Sequence, residues 1–431
     1  MRTQPSRSLL AHACGVLLPL VFGLSACADP GAEEDGESGD ETEESGGEWD
    51  GRCLDVGSPL VDRAKEITPL SEATAELMGV VCSTGWASDA PMLEASWSLD
   101  LGLISSPYGS SSTQMALHPD GGVVVFGVGV LARVDAQGQA LWSRPELTAN
   151  GWIAMGVVEA DGTLLVPSYE EQGLNQRVLR LDAEGNEIDE FVVPLNDPSA
   201  EISAMVRWGS DVVMGLYDLS ASDQWFEATF LRVSSDGEEL LRKSNEQLFQ
   251  ANLLAVTDAG NAFFSGSLLA AENGAVLGTI VPSAGGVRAI VGGGPGDDAF
   301  YVAGSSGDLT VSSFSSFGVE RWLQRYDRAG GSDVGLGIAS TGDGGAVVVG
   351  SERLLGSLSE GGWWFFGQPT VIAVGSEGEA LWRDRIAALG EAHAAVVDES
   401  GAVYVAGVAE STEIDDEDYP ERLYWLRRYD P

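Results

Sequence analysis

Along most of the chain, apolar runs of strand length alternate with polar turn signals, and one arrangement of the two returns seven times. A turn rich in Gly, Asp or Ser leads into an apolar run that mostly closes on Gly or another small residue. The copies are HPDGGVVVFG (118–127), EADGTLLVPS (159–168), RWGSDVVMGL (207–216), TDAGNAFFSG (257–266), GPGDDAFYVAG (294–304), STGDGGAVVVG (340–350) and DESGAVYVAG (398–407). They lie about 47 residues apart, a spacing typical of propeller blades. Each copy is followed by a further strand, a second turn and a closing strand, clearest at 131–144, 178–191, 230–243 and 371–384. Alternation of apolar and polar residues in these segments predicts strands packed face to face. The Asp-x-x-Gly turns supply the positive φ that tight hairpins need. One four-stranded sheet cannot cover its own faces, whereas radial stacking of such sheets does. The pattern therefore predicts an all-β chain that forms a seven-bladed β-propeller over residues 91–431.

The closing strands indicate how the ring shuts. In three copies Trp falls four residues after the turn Gly: Trp142 after Gly138, Trp322 after Gly318 and Trp382 after Gly378. The last repeat runs Leu423-Tyr424-Trp425-Leu426-Arg427-Arg428-Tyr429 with no closing strand behind it. A copy of that strand, Glu94-Ala95-Ser96-Trp97-Ser98-Leu99, stands ahead of the first full repeat instead. Residues 93–101 are therefore expected to pair with 422–430, which removes the open sheet edges. The alternative, a linear solenoid, would tolerate deletion of residues 91–101.

Upstream, Met1 to Arg7 is short and basic and Leu9 to Leu24 is apolar, the pattern of an export signal over 1–26. It ends in Leu24-Ser25-Ala26-Cys27, which resembles the lipobox of bacterial lipoproteins. That resemblance implies acyl chains on Cys27 and lasting membrane anchorage. No other window reaches the ~18 apolar residues of a spanning helix. Residues 27–50 hold Asp, Glu, Gly and Ser without Lys or Arg, too polar to offset their ordering entropy by burial, so they read as an extended spacer. Ala28 stands where Asp would favour inner-membrane retention, which makes an outer-membrane lipoprotein the expected address, with the leaflet open.

Of the four cysteines, Cys14 leaves with the signal and Cys27 takes the lipid. Cys53 and Cys82 remain and read as a disulfide in an oxidising compartment, a loop closure contributing about 3–4 kcal/mol. Between them, Ser58-Pro59 followed by 60–67 has the start signal of a short helix, and Ser71 to Met78 is a second candidate. Residues 51–90 are thus expected to form a small stapled segment.

The formal net charge of −43 is only partly in the spacer. It argues against nucleic acid and against adsorption to anionic lipid, since both need a basic footprint.

The segment Ala132 to Trp142 resembles the tryptophan-docking repeat of pyrroloquinoline-quinone-type propellers, and residues 93–431 resemble that superfamily as it occurs in bacterial lipoproteins. Its quinone dehydrogenases use eight blades, a Thr-Gly turn, calcium and often adjacent cysteines. This chain departs on each point, with seven repeats, a turn one residue shorter and no adjacent cysteines. The superfamily also holds a lipoprotein scaffold of the outer-membrane assembly machinery, which has no chemistry of its own.

Candidate chemistry is sparse. His118 and His393 sit beside repeat strands at comparable positions without cysteine partners, which disfavours a zinc site. No Gly-x-Ser-x-Gly elbow or P-loop occurs in the domain. Asp415-Asp416-Glu417-Asp418 reads either as a calcium-binding cluster or as a solvated acidic loop. The Trp residues of the closing strands read as blade packing. Length asymmetry is more informative: insertions between the second and third strands of repeats three, six and seven cover 220–225, 354–362 and 409–421. In a propeller these share one face, and function concentrates on loops carried by a rigid scaffold. Trp225, Trp363, Trp364 and Tyr419 lie in or beside them, a candidate binding face for an envelope protein or glycan. The leading expectation is a monomeric, lipid-anchored, non-enzymatic binding module without cofactor or metal. The alternative is a quinone-type oxidoreductase or hydrolase working at the central funnel.

Overall fold

The computed structural model describes residues 90–103, 113–148, 155–168, 177–196, 200–218, 227–245, 253–270, 272–280, 286–294, 297–326, 332–354, 366–386, 390–414 and 420–431. Cys27, the acidic spacer and the segment holding Cys53 and Cys82 fall outside these residues. Strand β1 (Trp97–Leu103) comes first. Blade one follows as β2 (Thr113–Leu117), β3 (Val123–Gly127), β4 (Val130–Val134) and β5 (Ala140–Ser143), and blade two as β6 (Val157–Val158), β7 (Leu164–Ser168), β8 (Arg177–Leu181) and β9 (Glu187–Val192). Blade three is β10 (Ala200–Trp208), β11 (Asp211–Asp218), β12 (Glu227–Val233) and β13 (Glu239–Asn245). Blade four is β14 (Leu254–Val256), β15 (Asn261–Phe264), β16 (Ser267–Ala270) and β17 (Val276–Thr279). Blade five is β18 (Gly286–Gly292), β19 (Ala299–Ser305), β20 (Leu309–Ser315) and β21 (Glu320–Tyr326). Blade six is β22 (Ser332–Ser340), β23 (Ala346–Leu354), β24 (Phe366–Val374) and β25 (Ala380–Arg385). Blade seven has β26 (Gly390–Val397), β27 (Val403–Ile414) and β28 (Pro420–Tyr429) from the end of the chain, and β1 from its beginning.

The described residues thus form seven four-stranded antiparallel sheets. Each first strand touches the first strand of the next blade, β26 touching β2, so the ring shuts on itself. The first and last strands of the propeller make the clasp: β1 pairs with β28, Trp97 opposite Arg428 and Leu103 opposite Leu423. The lead-in lies along the outer strand of blade six, where Leu93 N–H donates to the Arg383 carbonyl at 2.9 Å and Arg383 N–H donates to Pro91 at 3.1 Å. One short 3-10 turn, Pro145–Leu147, interrupts the β pattern.

The core lies between blades, one apolar cluster to each seam. Val123 and Val125 pack toward Tyr404, Tyr424 and Leu426 of blade seven, while Val124 and Phe126 pack toward Leu164 and Val166 of blade two. Both faces of a second strand are therefore buried, and β3 is buried at all five positions. This departs from the alternation expected of every segment: the second strands read as continuous apolar runs because neither face meets water.

The closing-strand aromatics join neighbouring blades. Trp142 lies on the glycine of the next blade's last turn, where a methyl group at Gly185 would stand 2.9 Å from its ring, and its Nε1–H donates to the Ala183 carbonyl at 2.8 Å. Trp97 repeats this on Gly138 and the Ala136 carbonyl at 3.2 Å. Trp322 does so on Gly378 and Ser376 at 2.7 Å. Phe191 takes the place on Gly237. Each receiving Gly has a positive φ, for example 79° at Gly185, so it both turns the chain and leaves room for the ring.

Candidate binding face

In an up-and-down blade, the connections from second to third strand emerge on one face with those that lead to the next blade. The turns from first to second and from third to fourth strand emerge on the other. That second face is closed by short turns of one design. Asp135 Oδ1 accepts from the Gln137 and Gln139 N–H groups at 2.9 and 2.8 Å, Asp182 Oδ1 accepts from Glu184 and Asn186 at 3.0 and 2.8 Å, and Asp398 Oδ1 does the same for Ser400 and Ala402. Side-chain acceptors thereby satisfy backbone donors that a tight turn would leave unmet.

The first face carries the long connections. Trp225, Trp363, Trp364 and Tyr419, together with Asp415 to Asp418, lie in stretches outside the described residues. The strands beneath stay paired up to the point where each connection leaves: Asp218 faces Glu227, Leu354 faces Phe366 and Ile414 faces Pro420.

Under the connection of blade six lies a polar layer that sequence reading missed. Asp333, Glu352 and Gln368 stand side by side in register across β22, β23 and β24. Arg385 at the end of β25 donates from Nε to Glu352 Oε1 at 3.1 Å, and both side chains are only 1% exposed. Gln368 Nε2 donates to the Ile386 carbonyl at 3.3 Å, and Thr370 Oγ1 donates to Asp384 at 3.4 Å. Ser351 Oγ reaches the Gly390 carbonyl of blade seven at 3.4 Å, and Ser305 Oγ donates to the Asp333 carbonyl at 2.7 Å. Burying charge is costly unless it is paired and hydrogen-bonded. Here the pairing holds four strand ends in a single arrangement and ties blade six to its neighbours. The only sequence signal was polar residues at strand ends, Ser351-Glu352-Arg353, Gln368 and Arg383-Asp384-Arg385, which look like ordinary solvated charge.

The histidines do not occupy comparable positions. His118 follows β2 in a tight turn, where its Nδ1 accepts from Asp120 N–H at 3.1 Å and its ring packs on Gly162 of blade two. Burial and the nearby Arg133 guanidinium hold its imidazole below the ordinary value, so it stays neutral at pH 7 and acts as packing between blades. His393 lies within the inner strand β26, beside a bulge, with Nε2 3.3 Å from Glu391 Oε2. Glu201 is the second residue of the equivalent inner strand of blade three, and burial raises its carboxyl above the ordinary value. Among the described residues no group of three or more His, Cys, Asp or Glu is arranged to hold a metal ion.

No family model matches the chain, and no curated protein matches it. Among solved structures it is similar to the WD40 β-propeller domain of Doa1, with TM-score 0.49 and 11% identity over 78% of this chain and 97% of that one. The WD40 domain of Neurospora crassa Pan2 gives TM-score 0.41 and 9% identity over the same shares, 78% and 97%. A Bacteroides caccae protein of unknown function gives 0.32 and 13%, over 49% and 80%. The architecture rests on the seven sheets themselves, and identities this low carry nothing about partner or chemistry.

Proposed function

We propose that this chain is a non-enzymatic binding module, held in the bacterial cell envelope by lipid on Cys27, that presents the long-connection face of its propeller to a protein or glycan partner. The observation that supports this most is the asymmetry of the two faces: one is closed by tight turns, while the other carries the long connections over a base fixed by Arg385, Glu352 and Gln368. A rigid base lowers the ordering cost of capture. Trp363 and Trp364 are the anchors of the reading, because aromatic residues dominate binding energy where they occur. The lipobox-like Leu24-Ser25-Ala26-Cys27 and the acidic spacer support a tether to the outer membrane.

The test uses full-length protein with Trp363→Ala and Trp364→Ala together. Capture from envelope extracts and from a glycan array is expected to fall while thermal stability stays unchanged. Unchanged capture on both would sink the reading. Replacing Cys27 with Ala is expected to move the protein from the membrane to the soluble fraction.

The His393–Glu391 contact on an inner strand is the one observation that favours the rival reading, an enzyme working at the central channel. Absorbance of purified protein, together with metal analysis, separates the two. A stoichiometric quinone would decide for the enzyme.

A further inference from the structure

Blades one, two, five and seven each lay an aromatic ring on the last turn glycine of the next blade, and the seam between blades four and five does not. Strand register places Gly278, opposite Leu268, where blades one, five and six carry Trp142, Trp322 and Trp382. The turn it faces departs as well. Phe317 stands where the equivalent turns carry Gln137, Glu184, Asp236 and Glu377, and Val319 stands where they carry Gln139, Asn186, Glu238 and Glu379. Phe317 is 75% exposed and Val319 65%, beside Val276 at 61% and Leu277 at 45%. No ring lies on Gly318; the Thr279 carbonyl oxygen and Ile280 come within 3.0 and 3.5 Å of where a methyl group on it would stand, and apolar residues replace polar ones in the turn.

Among the described residues no further strand pairs with the outer edge of this blade. β17 is the outermost strand of its blade, and Val276–Thr279 carries no charge. The outer strands β9, β13, β21 and β25 include charged residues, the usual guard on an exposed edge; β5 shares the lack of charge but carries Trp142, docked on the next blade. How such an edge accepts another strand is visible on β25, where residues 91–93 lie parallel to it through two main-chain hydrogen bonds. There is room for a side chain as well: the nearest atom to a methyl group placed on Gly278 is the Phe317 carbonyl oxygen at 3.8 Å.

We infer that β17 and the Phe317 turn form a strand-addition site for an extended, apolar, lysine-bearing segment of another protein, which seats an aromatic side chain over Gly278. Main-chain pairing gives such a site affinity, and the pocket gives it selectivity. The charge of the occupant follows from the formal net charge of −43, which attracts a basic segment and repels a second copy of this chain.

The probe is a synthetic peptide that alternates Val and Thr around one Trp, with lysines at both ends, followed by fluorescence anisotropy on the full chain. Binding is expected. It is expected to weaken about tenfold or more in Phe317→Gln, the loss typical of a central aromatic contact. It should vanish in Gly278→Trp, which supplies the missing indole from within. Both sites are open to solvent, so unchanged thermal unfolding of Phe317→Gln keeps the comparison valid. Absence of binding, or equal binding by both variants and the parent, overturns the inference. So does sedimentation showing a dimer that Phe317→Gln dissolves, since a second copy would then be the occupant.

Discussion

Trp382 stacks on Tyr429, their ring centroids 5.4 Å apart and their planes 29° from parallel, at the seam where no hairpin turn is present to receive the indole. Blade seven pairs β28 with β1 with no hairpin between them, so the docking partner is a ring rather than a glycine. Tyr429 is itself fixed by its hydroxyl, which donates to Asp384 Oδ2 at 2.9 Å.

Trp382→Ala is expected to lower stability by about 3–5 kcal/mol, as for other buried aromatic truncations. Its neighbour Leu381 is 46% exposed, and Leu381→Ala should stay within about 0.5 kcal/mol. Denaturant unfolding of the two variants makes the comparison.

Gly185 and Gly209 both hold positive φ, 79° and 63°, but only Gly185 supports a ring. Gly209→Ala is expected to cost about 1 kcal/mol from backbone conformation alone. Gly185→Ala adds the clash with Trp142 and should lose a further 1–3 kcal/mol or so. Equal losses would show that the indole does not rest on that turn.

Arg385→Met leaves Glu352 charged in a buried layer and is expected to destabilise by about 3–5 kcal/mol. Pairing it with Glu352→Leu should recover most of that loss, since the apolar pair needs no compensation. Thermal unfolding of the single and double variants gives the coupling.

Burial pushes the Tyr424 hydroxyl up to about 12, while its hydrogen donates to the Val128 carbonyl at 3.1 Å. The unfolded tyrosine ionises first, near pH 10. Its contribution to stability is therefore complete below about pH 10 and is lost as pH rises toward 12. Tyr424→Phe should cost about 1 kcal/mol at neutral pH and flatten the alkaline decline, measured by unfolding at a series of pH values.

Legibility followed turn chemistry. Asp135, Asp182 and Asp398 announce their hairpins because an acceptor at the turn start and a glycine near its end are local requirements, readable without tertiary knowledge. Trp97 was legible as a copy of Trp142 and Trp382, and its place opposite Arg428 follows from the count of strands. The continuous runs Val123–Phe126 and Val347–Val349 looked like half-buried strands and are buried on both faces, since periodicity alone cannot say how many neighbours a sheet has. Glu352 and Arg385 were invisible for a different reason. Among 66 acidic residues two more at strand ends carry no signal, and only register brings the guanidinium to the carboxylate. Phe317 was an apolar residue in a polar turn, a departure that acquires meaning once Gly278 is seen beside it. Trp225, Trp363, Trp364 and Tyr419 were chosen on loop length, and they fall outside the described residues.

The clasp also imposes an order of assembly. Tyr424 reaches Val128 across 296 residues of sequence, so on a chain emerging from its amino end the first blade waits for the last before its flank is covered. Until then Val123, Val125 and the Trp97 strand have no permanent neighbour, and nascent material with such surfaces exposed is prone to aggregate. Long-range pairing of this kind is slow to form. Strand β28 is thus a kinetic gate for the whole ring, and termination before it should yield insoluble protein rather than a slightly shortened one.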